Sequence, residues 1–164
     1  VSKKFTNTDP YDATVDQMWA MITNQDYVKA KYESMGASNI VFTTFDVSDD
    51  SFTMVTERDV PADLPGFAKK IIGETNHVTQ TEKWTRTGDS ASATEEILVK
   101  NVPGGTTGTM QLSPSGTGSS WAADFQIKIG IPMVGGKLEG VMLEETGKNF
   151  KMEKAFNDTW LASH

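Results

Sequence analysis

Ser119-Ser120-Trp121-Ala122-Ala123-Asp124-Phe125-Gln126-Ile127-Lys128-Ile129-Gly130-Ile131-Pro132 carries the cleanest alternation in the chain. Trp121, Ala123, Phe125, Ile127, Ile129 and Ile131 share one face, while Ser120, Ala122, Asp124, Gln126 and Lys128 share the other. Successive side chains of a strand point to opposite faces, so this stretch predicts a sheet with one face buried and one wet. After Pro132 the pattern turns helical almost to the last residue. About 28 residues at ~1.5 Å each give a helix of roughly 40 Å, long enough to cross a whole sheet. Helical winding puts Leu138, Val141, Met142, Met152 and Phe156 on one side, interrupted by Glu145 and Asn149.

Upstream, residues 77–86, 90–100 and 106–112 also read as strands. They are separated by Thr87-Gly88-Asp89 and Pro103-Gly104-Gly105, and Pro114-Ser115-Gly116-Thr117-Gly118 precedes the last strand. Residues 39–47 and 51–60 make a hairpin around Ser48-Asp49-Asp50, with Phe52, Met54, Thr56 and Arg58 on one face. Between these groups, in residues 62–73, Leu64, Phe67, Ala68, Ile71 and Ile72 recur at helical spacing with Lys69 and Lys70 opposite. This predicts a short amphipathic helix, either a packing element or a movable lid. Residues 1–8 are expected to form a first strand. Thr14 with Gln17 fits a capping box ahead of Val15, Met18, Trp19 and Ile22, and a second short helix carries Val28, Tyr32 and Met35 before Gly36.

The expected architecture is therefore α+β. A curved seven-stranded antiparallel sheet wraps around one long C-terminal helix, with a helical pair after strand one and a short helix between strands three and four. Residues 1–164 are read as a single domain, a length one core can serve. A strongly curved sheet closed by one helix is hard to fill with ordinary side chains. The small residues Ala91, Ala93, Gly108 and Ala123 leave further room, so an internal cavity is expected.

Composition removes several function classes. With 22 acidic against 15 basic residues and no basic cluster beyond Lys3-Lys4 and Lys69-Lys70, the chain lacks the footprint of a phosphate-gripping nucleic-acid binder. No apolar run approaches the ~18 residues of a bilayer span, and the first residues lack the pattern of a secretory signal, so a cytoplasmic protein without stable membrane insertion is expected. There is no cysteine, and neither His77 nor His164 has partners at ligand spacing, so no metal and no cofactor are expected. Val134-Gly135-Gly136-Lys137 is followed by Leu138 and lacks the phosphate-loop spacing, and no nucleophile elbow is present.

Four passages resemble a known family. Val78-Thr79-Gln80-Thr81-Glu82-Lys83-Trp84, Ile131-Pro132-Met133-Val134-Gly135-Gly136-Lys137-Leu138-Glu139, Val60-Pro61-Ala62-Asp63-Leu64-Pro65 and Asp12-Ala13-Thr14-Val15-Asp16-Gln17-Met18-Trp19 are similar to a bacterial branch, of unassigned function, of the START-like (SRPBCC) superfamily. That superfamily includes birch-pollen allergens, aromatase/cyclases and lipid-transfer domains. The resemblance covers nearly the whole chain, carries no catalytic motif, and implies a helix-grip fold with a hydrophobic-ligand cavity.

Strand parity and helix angle then name the candidate ligand-binding residues. Polar groups expected to face the interior are Arg58, Gln80, Glu82, Glu145 and Asn149. Apolar walls are expected from Trp84, Trp121 and Phe125 on the sheet, Phe67 and Ile71 on the short helix, and Leu138 and Met142 on the long one. Buried charges need partners, so Arg58 pairs with Glu82 or Glu145 as a structural bridge, or helps orient a polar end of a ligand, or the register slips by one and these charges are exposed. The expected function is binding or carriage of a small hydrophobic or amphipathic molecule such as a lipid, polyketide or aromatic metabolite. Two alternatives stay open. One is a cyclase- or hydratase-type enzyme using Glu82 or Glu145 as acid or base, disfavoured because no acid–base pair or nucleophile is recognisable. The other is an interaction module acting through the short helix or the sheet edge.

Overall fold

The hydrophobic alternation produces seven strands: β1 (Lys3–Tyr11), β2 (Ser38–Val47), β3 (Ser51–Pro61), β4 (Thr75–Thr87), β5 (Ser90–Val99), β6 (Gly104–Ser115) and β7 (Gly118–Ile129). They are seen in a computed structural model that describes residues 2–61 and 63–164. The helices are α1 (Val15–Ile22), α2 (Gln25–Ser34), α3 (Gly66–Ile72) and α4 (Gly135–Ser163). One antiparallel sheet runs in the order β1-β7-β6-β5-β4-β3-β2, so β1 and β2 are its edges. The long last helix, the helical pair after β1 and the short helix between β3 and β4 all stand where the sequence pattern puts them.

Some boundaries shift for physical reasons, and one strand is irregular. β1 runs on through Pro10, which pairs with Ser120 in register; an edge strand tolerates a residue that cannot donate to the ladder. Its expected first residue, Val1, lies outside the described residues. α3 begins only at Gly66, behind Pro65, and is shorter than the expected 62–73; position 62 is likewise outside the described residues. β2 is irregular, with register shifts against β3 at Ser38/Val41 and Phe42/Thr44 and with Asn39 at φ 53°.

α1 starts on a complete capping box. Thr14 Oγ1 accepts from Gln17 N at 3.2 Å, and Gln17 Oε1 accepts from Thr14 N at 2.8 Å. Thr14→Ala is therefore expected to lower stability by about 1 kcal/mol, read from urea unfolding; an unchanged midpoint would show that tertiary packing alone holds α1.

Two apolar clusters fill the concave side. The larger joins α1 and α2 to the sheet through Met18, Tyr27, Val28, Tyr32, Phe52, Met54, Trp84, Leu112 and Phe125. The smaller gathers Leu64, Ala68, Val78, Val99, Ile129 and Leu138 at the other end, with Phe67, Ile71 and Met142 packed against it. There Glu139, fully buried on the first turns of α4, accepts a hydrogen bond from Ile129 N at 2.7 Å and ties the helix to the end of β7. The buried face of α4 is rotated from the one read by hydropathy. Met152 is 43% exposed, whereas Glu139 and Asn157 are buried. The reason is that polar side chains of α4 find partners inside.

Candidate functional site

Between the sheet and α4, under α2, lies a cavity of about 100 Å³. Its apolar walls include Ile22, Val28, Met35, Phe52, Met54, Met110, Phe125 and Phe150. Its polar groups come from every layer: Arg58 on β3, Gln80 and Glu82 on β4, Glu95 on β5, Lys31 and Tyr32 on α2, and Asn149, Glu153 and Asn157 on α4.

Register brings the sheet groups together. Thr56 pairs with Gln80, Arg58 with Val78 and Glu82 with Glu95, so Gln80, Glu82 and Glu95 share one patch of the concave face. Gln80 is the hub. Its Oε1 accepts from Arg58 Nη2 at 2.7 Å and from Tyr32 Oη at 3.3 Å, while its Nε2 donates to Glu82 Oε2 at 3.1 Å and to Glu95 Oε1. Glu82 Oε1 accepts from Trp84 Nε1 at 3.0 Å. The Arg58 guanidinium lies 3.8 Å from the Tyr32 ring centroid, a cation–π stack, and Nη1 also donates to Thr56 Oγ1 at 3.3 Å. Arg58 thus bonds an amide and a hydroxyl, and no salt bridge joins it to Glu82 or Glu145 among the described residues.

Two further groups close the α2–α4 side. Lys31 Nζ sits 2.8 Å from Glu153 Oε1, with both side chains largely out of solvent. Tyr27 Oη donates to Asn157 Oδ1 at 2.5 Å, and Asn157 Nδ2 donates to Tyr11 Oη at 3.0 Å. This chain of bonds explains how Asn157 can be buried toward the C-terminal end of α4.

Burial governs the protonation of these groups. It pushes the Glu82 carboxyl up, against the smaller pull of Lys31 and the Trp84 N–H. Glu95 goes well above its ordinary value because burial is reinforced by the facing Glu82 and by Glu153. Burial pulls the Lys31 ammonium down, but Glu153, Tyr27, Tyr32 and Glu82 together leave it well above its ordinary value. A carboxyl with a higher pKa folded than unfolded binds more protons in the folded state. Stability should then fall as pH rises from the ordinary carboxyl value, 4.5, to the folded value. Glu95→Gln is expected to flatten that decline, seen in urea unfolding at stepped pH from below 4.5 upward. Parallel curves for the two proteins would mean that Glu95 does not titrate in this window.

Of the twelve residues singled out in the sequence, Arg58, Gln80, Glu82, Trp121, Phe125 and Asn149 line the cavity. Trp84 stands behind it, fully buried and holding Glu82. Phe67, Ile71, Leu138 and Met142 belong to the second apolar cluster at the α3 end. Glu145 turns to the surface side of α4 and pairs with Lys148 at 3.3 Å. Sequence reasoning passed over Lys31, Glu95, Glu153 and the Tyr11–Asn157–Tyr27 chain. For Glu95 a signal existed, because parity with Ala91 and Ala93 puts it on the concave face.

A family model described as "Protein of unknown function (DUF2505)" matches residues 6–161, almost the whole sheet-and-helix unit that builds this cavity. The chain belongs to the DUF2505 family. A similar curated relative is the uncharacterized protein Rv0481c of Mycobacterium tuberculosis, 23% identical, with 99% of this chain and 98% of that protein covered. Among solved structures, the Zhui aromatase/cyclase from a Streptomyces species superposes with a TM-score of 0.65 at 8% identity, covering 99% of this chain and 94% of that one. A START superfamily protein from Mycobacterium smegmatis gives a TM-score of 0.57 at 8% identity, covering 98% and 97%. At such identities the likeness is one of fold: this DUF2505 chain has the START-like helix-grip fold. Among its described residues no helix is long and apolar enough to cross a membrane.

Proposed function

We propose that the protein binds and carries a small hydrophobic or amphipathic molecule in the cavity between the sheet and α4. The observation that carries this reading is a void that combines apolar walls with fixed, hydrogen-bonded polar groups, centred on Gln80 on the sheet and on the Lys31–Glu153 pair opposite. Ligand pockets combine these two features, since apolar surface supplies affinity and a few fixed polar groups supply orientation. At about 100 Å³ the void is smaller than the ~300–1,000 Å³ of drug-sized pockets. It is nearer the scale of cavities of ~150 Å³ that take up benzene, which favours a compact ring over an extended acyl chain. In this proposal Arg58, Gln80, Glu82, Trp121, Phe125 and Asn149 contact the ligand.

The Trp121 indole lines the void, so an aromatic guest should perturb its fluorescence. Titration with naphthalene is expected to give a saturable change, and native mass spectrometry of freshly purified protein to show a retained small molecule. A non-saturating titration together with a bare mass would contradict the carrier reading. The cyclase- or hydratase-type alternative is favoured by one observation, the facing carboxyls of Glu82 and Glu95. It requires that Glu82→Gln and Glu95→Gln each suppress turnover of a substrate; undiminished turnover in both dismisses it.

A further inference from the structure

The hydrogen bonds around Gln80 locate a proton. Its carbonyl oxygen accepts from Arg58 and Tyr32, which fixes the amide orientation: a flipped amide would turn its NH₂ toward the guanidinium. Both N–H bonds of Gln80 are then directed to carboxylate oxygens, one on Glu82 and one on Glu95. Glu82 is filled on both oxygens, since Trp84 Nε1 donates to the other. Glu95 Oε2 alone among the four carboxyl oxygens has no donor aimed at it, and it is buried without a hydrogen-bond partner. Two carboxyls facing each other across neighbouring strands hold one proton more easily than none. That proton belongs on Glu95 Oε2, where no N–H competes for the site. A second cavity-lining donor, Trp121 Nε1, is also buried and unpartnered. Among the described residues, Glu95 and Trp121, which both line the cavity, thus each keep a buried polar atom without a hydrogen-bond partner.

We propose that the ligand is a compact ring bearing an accepting oxygen, of the ketone, lactone or quinone class, and that this oxygen receives a hydrogen bond from the Oε2 hydroxyl of Glu95. This deepens the carrier reading and rests on it. The unusually high proton affinity of Glu95 agrees with the assignment. The titratable and charged groups around the same void are Glu82 on β4, Arg58 on β3, Lys31 and Tyr32 on α2, Glu153 on α4 and Asp9 on β1. Burial, Glu82 and Glu153 hold the proton on Glu95, whereas Lys31 and the Gln80 N–H oppose it.

Three isosteric probes test the idea by calorimetry on the full chain: indane, 1-indanone and 1-aminoindane. At pH 6 1-indanone is expected to bind about tenfold more tightly than indane, with 1-aminoindane weakest. Raising the pH until Glu95 ionises should erase the preference for the ketone. Glu95→Gln keeps a donor at this place and cannot titrate, so it should keep the preference and lose its pH dependence. Glu95→Leu should bring the ketone and hydrocarbon affinities together, whereas a purely structural role for Glu95 would weaken both alike. If Glu95→Leu fails to fold, the pH profile of Glu95→Gln still decides. Equal affinity of the natural protein for indane and 1-indanone, or tighter binding of the amine, overturns this inference and leaves the carrier reading standing. Failure of all three probes to bind overturns both.

Discussion

Replacing Lys31 by Met should destabilise the protein by about 3–5 kcal/mol, the range for breaking a buried ion pair from one side. The ammonium is 2.8 Å from Glu153 and is 7% exposed, and its charge also faces Glu82. Removing it leaves Glu153 without its ion-pair partner and Glu82 without one of the cations that favour its charged form. The effect should reverse when the partner goes too. Lys31→Met combined with Glu153→Leu is expected to recover most of the loss, because the desolvation of both charges disappears together. Urea unfolding of the two single variants and the double variant gives the coupling directly. Additive losses would mean that the pair contributes nothing as a pair.

Gly108→Ala should be comparably damaging, about 3 kcal/mol, although it adds one methyl group. Gly108 sits on the concave face between Glu95 on one neighbouring strand and Phe125 on the other. A Cβ there would collide with the Asp124 carbonyl oxygen and with the Phe125 ring. The ring could swing into the void, but the carbonyl belongs to the β6–β7 ladder and cannot retreat without opening it. The variant is thus expected to unfold at lower urea and, where folded, to bind naphthalene more weakly. Normal stability with normal binding would show that β7 yields more easily than its ladder implies. The same contact corrects an idea from composition: the space left by Gly108 is taken up by Phe125 and does not enlarge the cavity.

The fold was legible in the sequence because its signals are local and repeated. The alternation from Trp121 to Ile129, the Thr14/Gln17 cap and the hairpin turns each specify one element, and the elements agree. The site was legible only where parity sufficed. Arg58, Gln80 and Glu82 sit at even positions beside Phe52, Met54 and Trp84, so their inward aim could be read off the strands. Glu95 was legible by the same parity, since it falls in step with Ala91 and Ala93, but its charge argued against an inward place. Lys31, Glu153 and Asn157 were out of reach for another reason. Hydropathy assigns such residues to water, and their burial depends on partners 122 and 130 positions apart in sequence, Lys31 with Glu153 and Tyr27 with Asn157. Winding α4 by its apolar residues consequently brought Met152 and Glu145 inward and gave Asn157 no inward place.

The crooked outer strand β2 has a bearing on how the molecule keeps to itself. Its two slips against β3, and the left-handed kink at Asn39, space its free amide and carbonyl groups unevenly. An extended peptide arriving at that margin would find hydrogen-bonding partners only in short, mismatched stretches. Val41 and Val47 are solvent-exposed there, yet the surface around them cannot template regular stacking of one copy on the next. Growth toward fibrils is thereby hindered at the flank where the apolar side chains would otherwise invite it.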